Sequence, residues 1–108
     1  MKHAQTPADR CRAGMIKESE FDDMSMLFNM FADSTRLKIM NALFYEELCV
    51  SDLCQVLQMS PSAVSHQLAS LKKTKLVKSR KVGKNVYYSM SDEHIKNIWK
   101  MAYDHITE

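Results

Sequence analysis

The stretch SDLCQVLQMSPSAVSHQLASLKKTKLVKSRKVGKNVYYSM, residues 51–90, decides the fold of this 108-residue chain. Its first part suits a short helix, because Ser51-Asp52 provides a cap and an acidic first turn, and the apolar pattern continues to Leu57. A two-residue turn, Gln58-Met59, follows. The pair Ser60-Pro61 then suits the start of another helix, with serine as the cap and proline in the first turn.

The helix that begins at residue 61 has two chemically different sides. Val64, Leu68 and Leu71 recur at helical spacing and predict a side that packs into the core. The opposite side has small or polar residues at one-turn spacing that a core would not require: Ser62, Ser65, His66 and Ala69. This second side is free to contact another molecule.

After Lys75 the pattern changes to two short β runs, Leu76–Lys81 and Val86–Met90, joined by residues 82–85. Gly83 and Asn85 suit a hairpin tip, where positive φ is needed. Two short helices across a tight turn, followed by a hairpin, are typical of a winged helix-turn-helix. The sequence therefore predicts a mainly α fold with a small β-hairpin.

The flanking segments predict three more helices. A first helix at about 18–31 has apolar residues at helical spacing: Phe21, Met24, Phe28 and Phe31. A second is capped by Asp33 or Ser34 and runs to about Tyr45, and the last follows Ser91 as its cap and continues close to the C-terminus. Residues 1–17 contain Pro7, Gly14 and scattered charge without periodicity, so they predict a flexible N-terminal arm before a domain of residues 18–108.

Charge is distributed unevenly along the chain, although the net charge is only +2. Residues 53–91 contain no Asp or Glu and hold seven basic residues: Lys72, Lys73, Lys75, Lys78, Arg80, Lys81 and Lys84. A basic centre between acidic flanks predicts a phosphate-facing surface, with the helix from residue 61 in the major groove of double-stranded DNA. We expect Lys81 and Lys84 on flanking phosphates, and near base edges and phosphates Ser62, Ser65, His66 and Gln67.

Size and composition exclude several classes of protein. The chain has room for one domain with a modest core, which a dimer would help to stabilise. No apolar run resembles a signal peptide or a membrane span, so we expect a cytoplasmic protein with Cys11, Cys49 and Cys54 as reduced thiols. The chain shows no Ser/His/Asp nucleophile set, glycine-rich phosphate loop or open catalytic metal site, which argues against an enzyme.

The last helix has a polar quartet, Asp92 and His94 at its start and His105 and Glu108 at its end. The histidines are eleven residues apart, so they share a helix face but lie about 16 Å apart along the axis. One protomer cannot join both ends around an ion. Two antiparallel copies across a two-fold axis would create two sites of two imidazoles and two carboxylates, a ligand set that suits Zn²⁺ or Co²⁺. Between the histidines, Ile98 and Met101 suit the helix–helix contact.

Four features together give the chain a family resemblance. They are residues 32–39 (ADSTRLKI), residues 47–54 (ELCVSDLC), residues 60–68 (SPSAVSHQL) and the quartet. On these motifs, roughly residues 20–108 resemble the ArsR/SmtB family of bacterial metal-sensing repressors. The resemblance implies a homodimer that represses a metal-efflux or metal-sequestration operon and leaves its operator when it binds metal. Members similar at the last helix sense zinc or cobalt, and nickel sensors also occur in the family.

A second candidate metal site lies around Cys49. Family members that sense arsenite, cadmium or lead there generally place a thiol two residues later, where this chain has Ser51. Cys49 and Asp52 could still join Cys11, and His3, from the arm to hold Zn²⁺ or Cd²⁺. The alternative is that Cys49 is a small buried hydrophobe, and Cys54 is expected in the core.

Two other functions stay open on the sequence. A thiol-based redox sensor would use Cys49 with Cys54 or Cys11 as its switch, so that mild oxidation releases DNA from metal-free protein. A zinc-buffering protein would bind metal without sequence-selective DNA binding. The acid-free basic centre disfavours the second of these.

Overall fold

The computed structural model describes residues 5–108. Its elements follow one another as α1 (Pro7–Ala13), α2 (Glu18–Phe31), α3 (Ser34–Tyr45), β1 (Leu48–Cys49), α4 (Val50–Leu57), α5 (Pro61–Lys73), β2 (Val77–Val82), β3 (Asn85–Met90) and α6 (Glu93–Ile106). The sequence predicts α2, α3, α5 and the hairpin to within about two residues. Winged helix-turn-helix architecture is therefore confirmed, with α4 and α5 as the helix pair and β2–β3 as the wing.

The sheet has three antiparallel strands in the order β1-β3-β2. Val77 lies opposite Met90 and Val82 opposite Asn85, and the short β1 adds Leu48 opposite Tyr88. From the sequence we predict only the two strands of the hairpin, so β1 is an addition to the prediction. At the wing tip Gly83 has φ 62, as predicted, but Asn85 begins β3 and is not among the residues with positive φ.

The core lies where α3, α4, α5 and the sheet meet. All three residues predicted for the core side of α5, namely Val64, Leu68 and Leu71, are fully buried. The other buried residues come from elements on every side of α5: Phe31, Ile39, Met40, Leu43, Leu53, Leu76, Val77, Met90 and Ile95. This packing fixes one side of α5 inward and leaves the other toward solvent.

Helix caps explain where several elements begin. The carboxylate of Asp33 accepts the Arg36 N–H at 2.9 Å, and the hydroxyl of Ser60 accepts the Ala63 N–H at 3.2 Å, as the sequence predicts. Two predicted caps are wrong. Cys49, and not Ser51, is the N-cap of α4, because the Asp52 carboxylate reaches back to the Cys49 N–H at 3.2 Å.

The cap of α6 is the second wrong one. Asp92 occupies the N-cap position, where its Oδ1 accepts the Ile95 N–H at 3.0 Å. The Ser91 hydroxyl instead donates to the Lys75 carbonyl at 2.6 Å. A carboxylate is the stronger acceptor for the orphan amides of a helix start, which accounts for the one-residue displacement.

The N-terminal arm contains a helix, Pro7–Ala13, which we do not predict from the sequence. The Thr6 hydroxyl accepts the Asp9 N–H at 3.1 Å, and the Asp9 carboxylate accepts the Thr6 N–H at 3.0 Å. With Pro7 in the first turn, the segment Thr6-Pro7-Ala8-Asp9 is a capping box that the sequence already displays. No residue of α1 is buried.

Two helices leave apolar faces uncovered within one protomer. On α2 only Phe31 is buried, whereas Phe28 is 53% exposed and Phe21 and Met24 are also exposed. At the far end of α6, Met101 is 73% and Ile106 78% exposed. The radius of gyration is 18.8 Å with a long axis of 71 Å, against about 13 Å for a compact domain of this size. Within residues 5–108, no helix has the length and hydropathy needed to cross a membrane.

The positive φ of Gly83 at the wing tip can be tested by substitution. A Cβ at residue 83 would meet no heavy atom within 4 Å, so the cost of Gly83→Ala comes from its positive φ alone. We expect a loss of about 1 kcal/mol in the free energy of unfolding, measured by urea denaturation at fixed protein concentration. Gly14→Ala is the matched control, because Gly14 has φ −91 and a Cβ there would lie 3.7 and 3.8 Å from backbone oxygens, so it should cause no loss. Equal effects of the two substitutions would contradict this account of the turn.

Candidate nucleic-acid interface and metal centre

The outer side of α5 presents the residues predicted to face DNA. Ser62, Ser65 and His66 are exposed and Gln67 is half-buried, while Val64 and Leu68 on the other side are buried. The Ser60 cap fixes the start of the helix, and the aligned peptide dipoles give this end a partial positive charge. Small hydroxyls and an imidazole on a rigid, core-anchored helix suit close approach to a groove.

The wing places two of its cations toward solvent. Lys84 lies in the two-residue turn, and Lys81 lies on β2 opposite Val86. Both lysines are exposed, and among residues 5–108 neither takes part in an ion pair. Their ammonium groups are therefore free to contact phosphates on either side of a groove.

Arg80 differs from the other cations of the basic centre. Its Nε lies 2.8 Å from both carboxylate oxygens of Glu47, and a terminal nitrogen lies 2.6 Å from Glu47 Oε1. The guanidinium also lies 5.7 Å from the ring centroid of Tyr87, its partner on β3. Glu47 immediately precedes β1, so this contact joins the outer edges of the three-stranded sheet.

The Arg80–Glu47 contact is electrostatic as well as structural. The hydrogen bond from Arg80 lowers the pKa of Glu47, and the same bond raises the pKa of Arg80. The sequence does not reveal this pairing, because the two residues are 33 positions apart and Glu47 lies outside the acid-free window. One of the seven cations is thus neutralised within the protomer.

The quartet occupies the two ends of α6, as predicted. At the start, His94 Nδ1 lies 3.7 Å from Asp92 Oδ1, and the His94 side chain is 92% exposed. At the other end His105 and Glu108 are both exposed. No group of three or more His, Cys, Asp or Glu side chains converges within one protomer over residues 5–108. Each end of α6 therefore offers one imidazole and one carboxylate to an ion.

The face between the histidines is only partly available for a helix contact. Met101 is exposed, but Ile98 packs against the core of its own protomer. Trp99 lies between Phe44 and Tyr103, with ring centroids 5.4 and 5.6 Å away, and fastens α6 to α3. Of the two residues predicted for the helix–helix contact, Ile98 is thus already half-buried within its own protomer. Met101 and Ile106 present the free apolar surface instead.

The second candidate site is half assembled. Cys49 Sγ lies 3.1 Å from Asp52 Oδ2, so thiol and carboxylate already point at one another. Cys11 is exposed on α1 and does not join them within the described protomer, and His3 lies outside the described residues. Cys54 is half-buried and packs against the core, as the sequence predicts. The pair Cys49–Asp52 therefore needs donors from elsewhere to complete a coordination sphere.

The fold, the exposed side of α5 and the basic wing define a winged helix-turn-helix DNA-binding protein. Residues 33–79 match the model of the bacterial regulatory protein arsR family. The SmtB transcriptional repressor homolog of Synechocystis is 48% identical over 85 residues, which are 79% of this chain and 64% of that protein. This match therefore spans less than two thirds of that relative.

A second relative covers the chain more fully. The cadmium resistance transcriptional regulatory protein CadC homolog of Staphylococcus aureus is 38% identical over 101 residues, which are 93% of this chain and 83% of that protein. Among solved structures, HlyU from Vibrio cholerae is similar with a TM-score of 0.77 and 29% identity, over 85% of this chain and 100% of that one. The chain belongs to the ArsR/SmtB family, and these relatives are transcriptional repressors and regulators.

The paired and unpaired cations predict different salt dependences of DNA binding. Lys84→Ala should lower the log–log salt slope by about one, because one phosphate contact is lost. Arg80→Gln should leave the slope unchanged, since the guanidinium already contacts Glu47. Glu47→Gln should raise the slope by up to about one, because it frees Arg80 for phosphate. The slopes come from anisotropy titrations of labelled duplex between about 50 and 200 mM salt. A drop of one for Arg80→Gln would place Arg80 on DNA.

Proposed function

We propose that this protein is a homodimeric repressor that binds operator DNA without metal and is released by Zn²⁺, or by Co²⁺, Ni²⁺ or Cd²⁺. Release follows occupation of inter-subunit sites on α6 and derepresses genes for metal efflux or sequestration. The observation that carries the proposal is the division of the quartet. Two half-sites of one imidazole and one carboxylate lie exposed at opposite ends of a single helix.

The uncovered faces of α2 and α6 support the homodimer. Phe21, Met24 and Phe28 recur on α2, while Met101 and Ile106 extend the apolar surface on α6. Burial of such side chains yields roughly 1.5–3 kcal/mol each, so a protomer that leaves them in water gains by association. A two-fold axis between two α6 helices would bring each helix start beside the partner's helix end.

The chemistry of the quartet supports an ion of the Zn²⁺ class. Two imidazole nitrogens and two carboxylate oxygens are a four-donor set that zinc and cobalt accept in tetrahedral geometry. Asp92 uses Oδ1 as the helix cap, which holds the carboxylate in place with Oδ2 available. The named relatives concern repression and cadmium resistance, which supports a metal signal.

Cys49 and Asp52 support an accessory site for a softer ion. Their 3.1 Å separation would let both contact one ion, and a thiolate favours Cd²⁺ or Zn²⁺. Cys11 from either protomer would add a second sulfur. In this proposal the accessory site binds cadmium without being needed for the zinc response.

The regulatory link is thermodynamic. Operator binding needs two recognition helices about 34–36 Å apart, so only some dimer arrangements fit DNA. An ion held by both α6 helices favours one arrangement of the protomers, and it weakens DNA binding if that arrangement does not fit. By reciprocity, DNA weakens metal binding by the same free energy, commonly 1–3 kcal/mol in coupled systems.

His105→Ala tests the sensing site. We expect the variant to lose tight zinc binding and zinc-driven DNA release. Its metal-free DNA affinity should stay within a few-fold of wild type, because His105 is in the last turn of α6 and more than one element along the chain from α5. The measurement is anisotropy of a duplex from the region upstream of the protein's own gene, titrated with and without Zn²⁺. Glu93→Gln is the control, since it removes an exposed acid of the same helix outside the quartet.

Three outcomes would contradict the proposal. If His105→Ala dissociates from DNA at wild-type zinc concentrations, α6 is not the sensor. If Cys49→Ser abolishes the zinc response, the sensing role belongs to Cys49 and Asp52. Release of metal-free wild-type protein by mild oxidation, with no response to zinc, would favour the thiol redox sensor.

A further inference from the structure

Ser91 joins α6 to the end of the recognition helix. Its hydroxyl donates to the Lys75 carbonyl at 2.6 Å, and its backbone N–H donates to the Leu76 carbonyl at 3.0 Å. Within the part of the chain that the structure describes, these are the hydrogen bonds that connect residues 91–108 to the rest of the protomer. Apolar packing against the core adds Ile95, Ile98 and Trp99.

The segment that receives these bonds is the C-terminal stop of α5. Thr74 is the C-cap, Lys75 follows with φ 65, and the Leu76 N–H donates to the Leu71 carbonyl at 2.9 Å. This arrangement is a Schellman stop in which a lysine occupies the left-handed position that glycine usually takes. A side chain there costs about 1 kcal/mol, so the surrounding contacts must hold Lys75 in place.

The segment that gives these bonds leads directly into the candidate metal half-site. Asp92 follows Ser91 as the α6 cap, and His94 lies two residues further with its ring 3.7 Å from the Asp92 carboxylate. Any displacement of Asp92 therefore acts on Ser91 through a single peptide unit. Apolar side chains can slide slightly against one another without losing contact. A hydrogen bond of 2.6 Å is directional, so a small movement of the start of α6 changes its geometry.

We propose that Ser91 is a positioning residue that couples the α6 half-site to the recognition helix through its hydrogen bond to Lys75. This inference rests on the proposed function, in which α6 is the sensing helix. Movement of the α6 start alters the bond to the Lys75 carbonyl. The left-handed stop and the last turn of α5 then change with it. Ser91 itself contacts neither the ion nor DNA.

Ser91→Ala tests this role by removing the hydroxyl and keeping the backbone bond. We expect Co²⁺ affinity and metal-free DNA affinity within about threefold of wild type, while the ratio of DNA dissociation constants with and without Zn²⁺ falls at least fivefold. Ser91→Thr should restore the ratio, because it restores a hydroxyl. Thr74→Ala is the matched control. It removes a hydroxyl that donates to the Ser70 carbonyl at 2.9 Å within α5 itself, and it should leave the ratio unchanged.

Hydrogen exchange on the wild-type protein tests the same coupling independently. Zinc should change the protection of the Lys75 and Leu76 amides, while the amides of Ile39 and Met40 in α3 stay constant. A wild-type ratio in Ser91→Ala, or an equal loss in Thr74→Ala, would overturn the coupling role and leave the proposed function intact. If wild-type protein shows no zinc-driven release, the proposed function fails and this inference fails with it.

Discussion

The distance between the two ends of α6 is the constraint on which the regulatory account depends. Eleven residues of helix separate His94 from His105 by about 16 Å, whereas donors to one zinc ion lie about 2 Å from the metal. A single protomer therefore presents two half-sites that cannot meet. The same helix leaves Met101 and Ile106 in solvent, so in the proposed function a second chain completes the metal site and covers the apolar face.

In contrast to α6, the DNA-binding elements α5 and the wing are held in place by contacts within one protomer. Val64, Leu68 and Leu71 anchor α5 completely within the protomer, and the Arg80–Glu47 contact braces the wing against β1. The position of α5 relative to the wing is therefore fixed within each protomer. In the proposed function, regulation acts through the relation between protomers and through the hydrogen bond from Ser91, just before α6, to the Lys75 carbonyl, just after α5.

Much of the fold was predictable because its signals are local. The apolar spacing of α5, the Ser60-Pro61 start and Gly83 at the wing tip each depend on a few neighbouring residues. The failures have two physical sources. Competition between adjacent polar residues displaced the caps of α4 and α6 by one or two positions, and β1 is too short to show a period. The α1 helix was missed although its capping box is visible in the sequence.

The candidate site also contains features with local sequence signals and features without them. Helical spacing places His94 and His105 on one face, with a carboxylate two or three residues from each. The pairing of Arg80 with Glu47 and the bond from Ser91 to Lys75 instead join positions 33 and 16 apart. No local pattern specifies such contacts, because they arise only when the sheet and the helix ends have packed. The sequence therefore indicates the candidate ligands, and the structure adds the contacts that join the wing to Glu47 and the start of α6 to the end of α5.

A mixed dimer of His94→Ala and His105→Ala chains tests the inter-subunit site most directly. One side of this dimer combines an intact Asp92/His94 pair with an intact His105/Glu108 pair, and the other side lacks both histidines. Titration of the purified heterodimer with Co²⁺, followed by the absorption of tetrahedral cobalt, should show one tightly bound ion per dimer, while each mutant homodimer shows none. Absence of tight binding in the heterodimer, or tight binding in either homodimer, would contradict a site shared between two α6 helices.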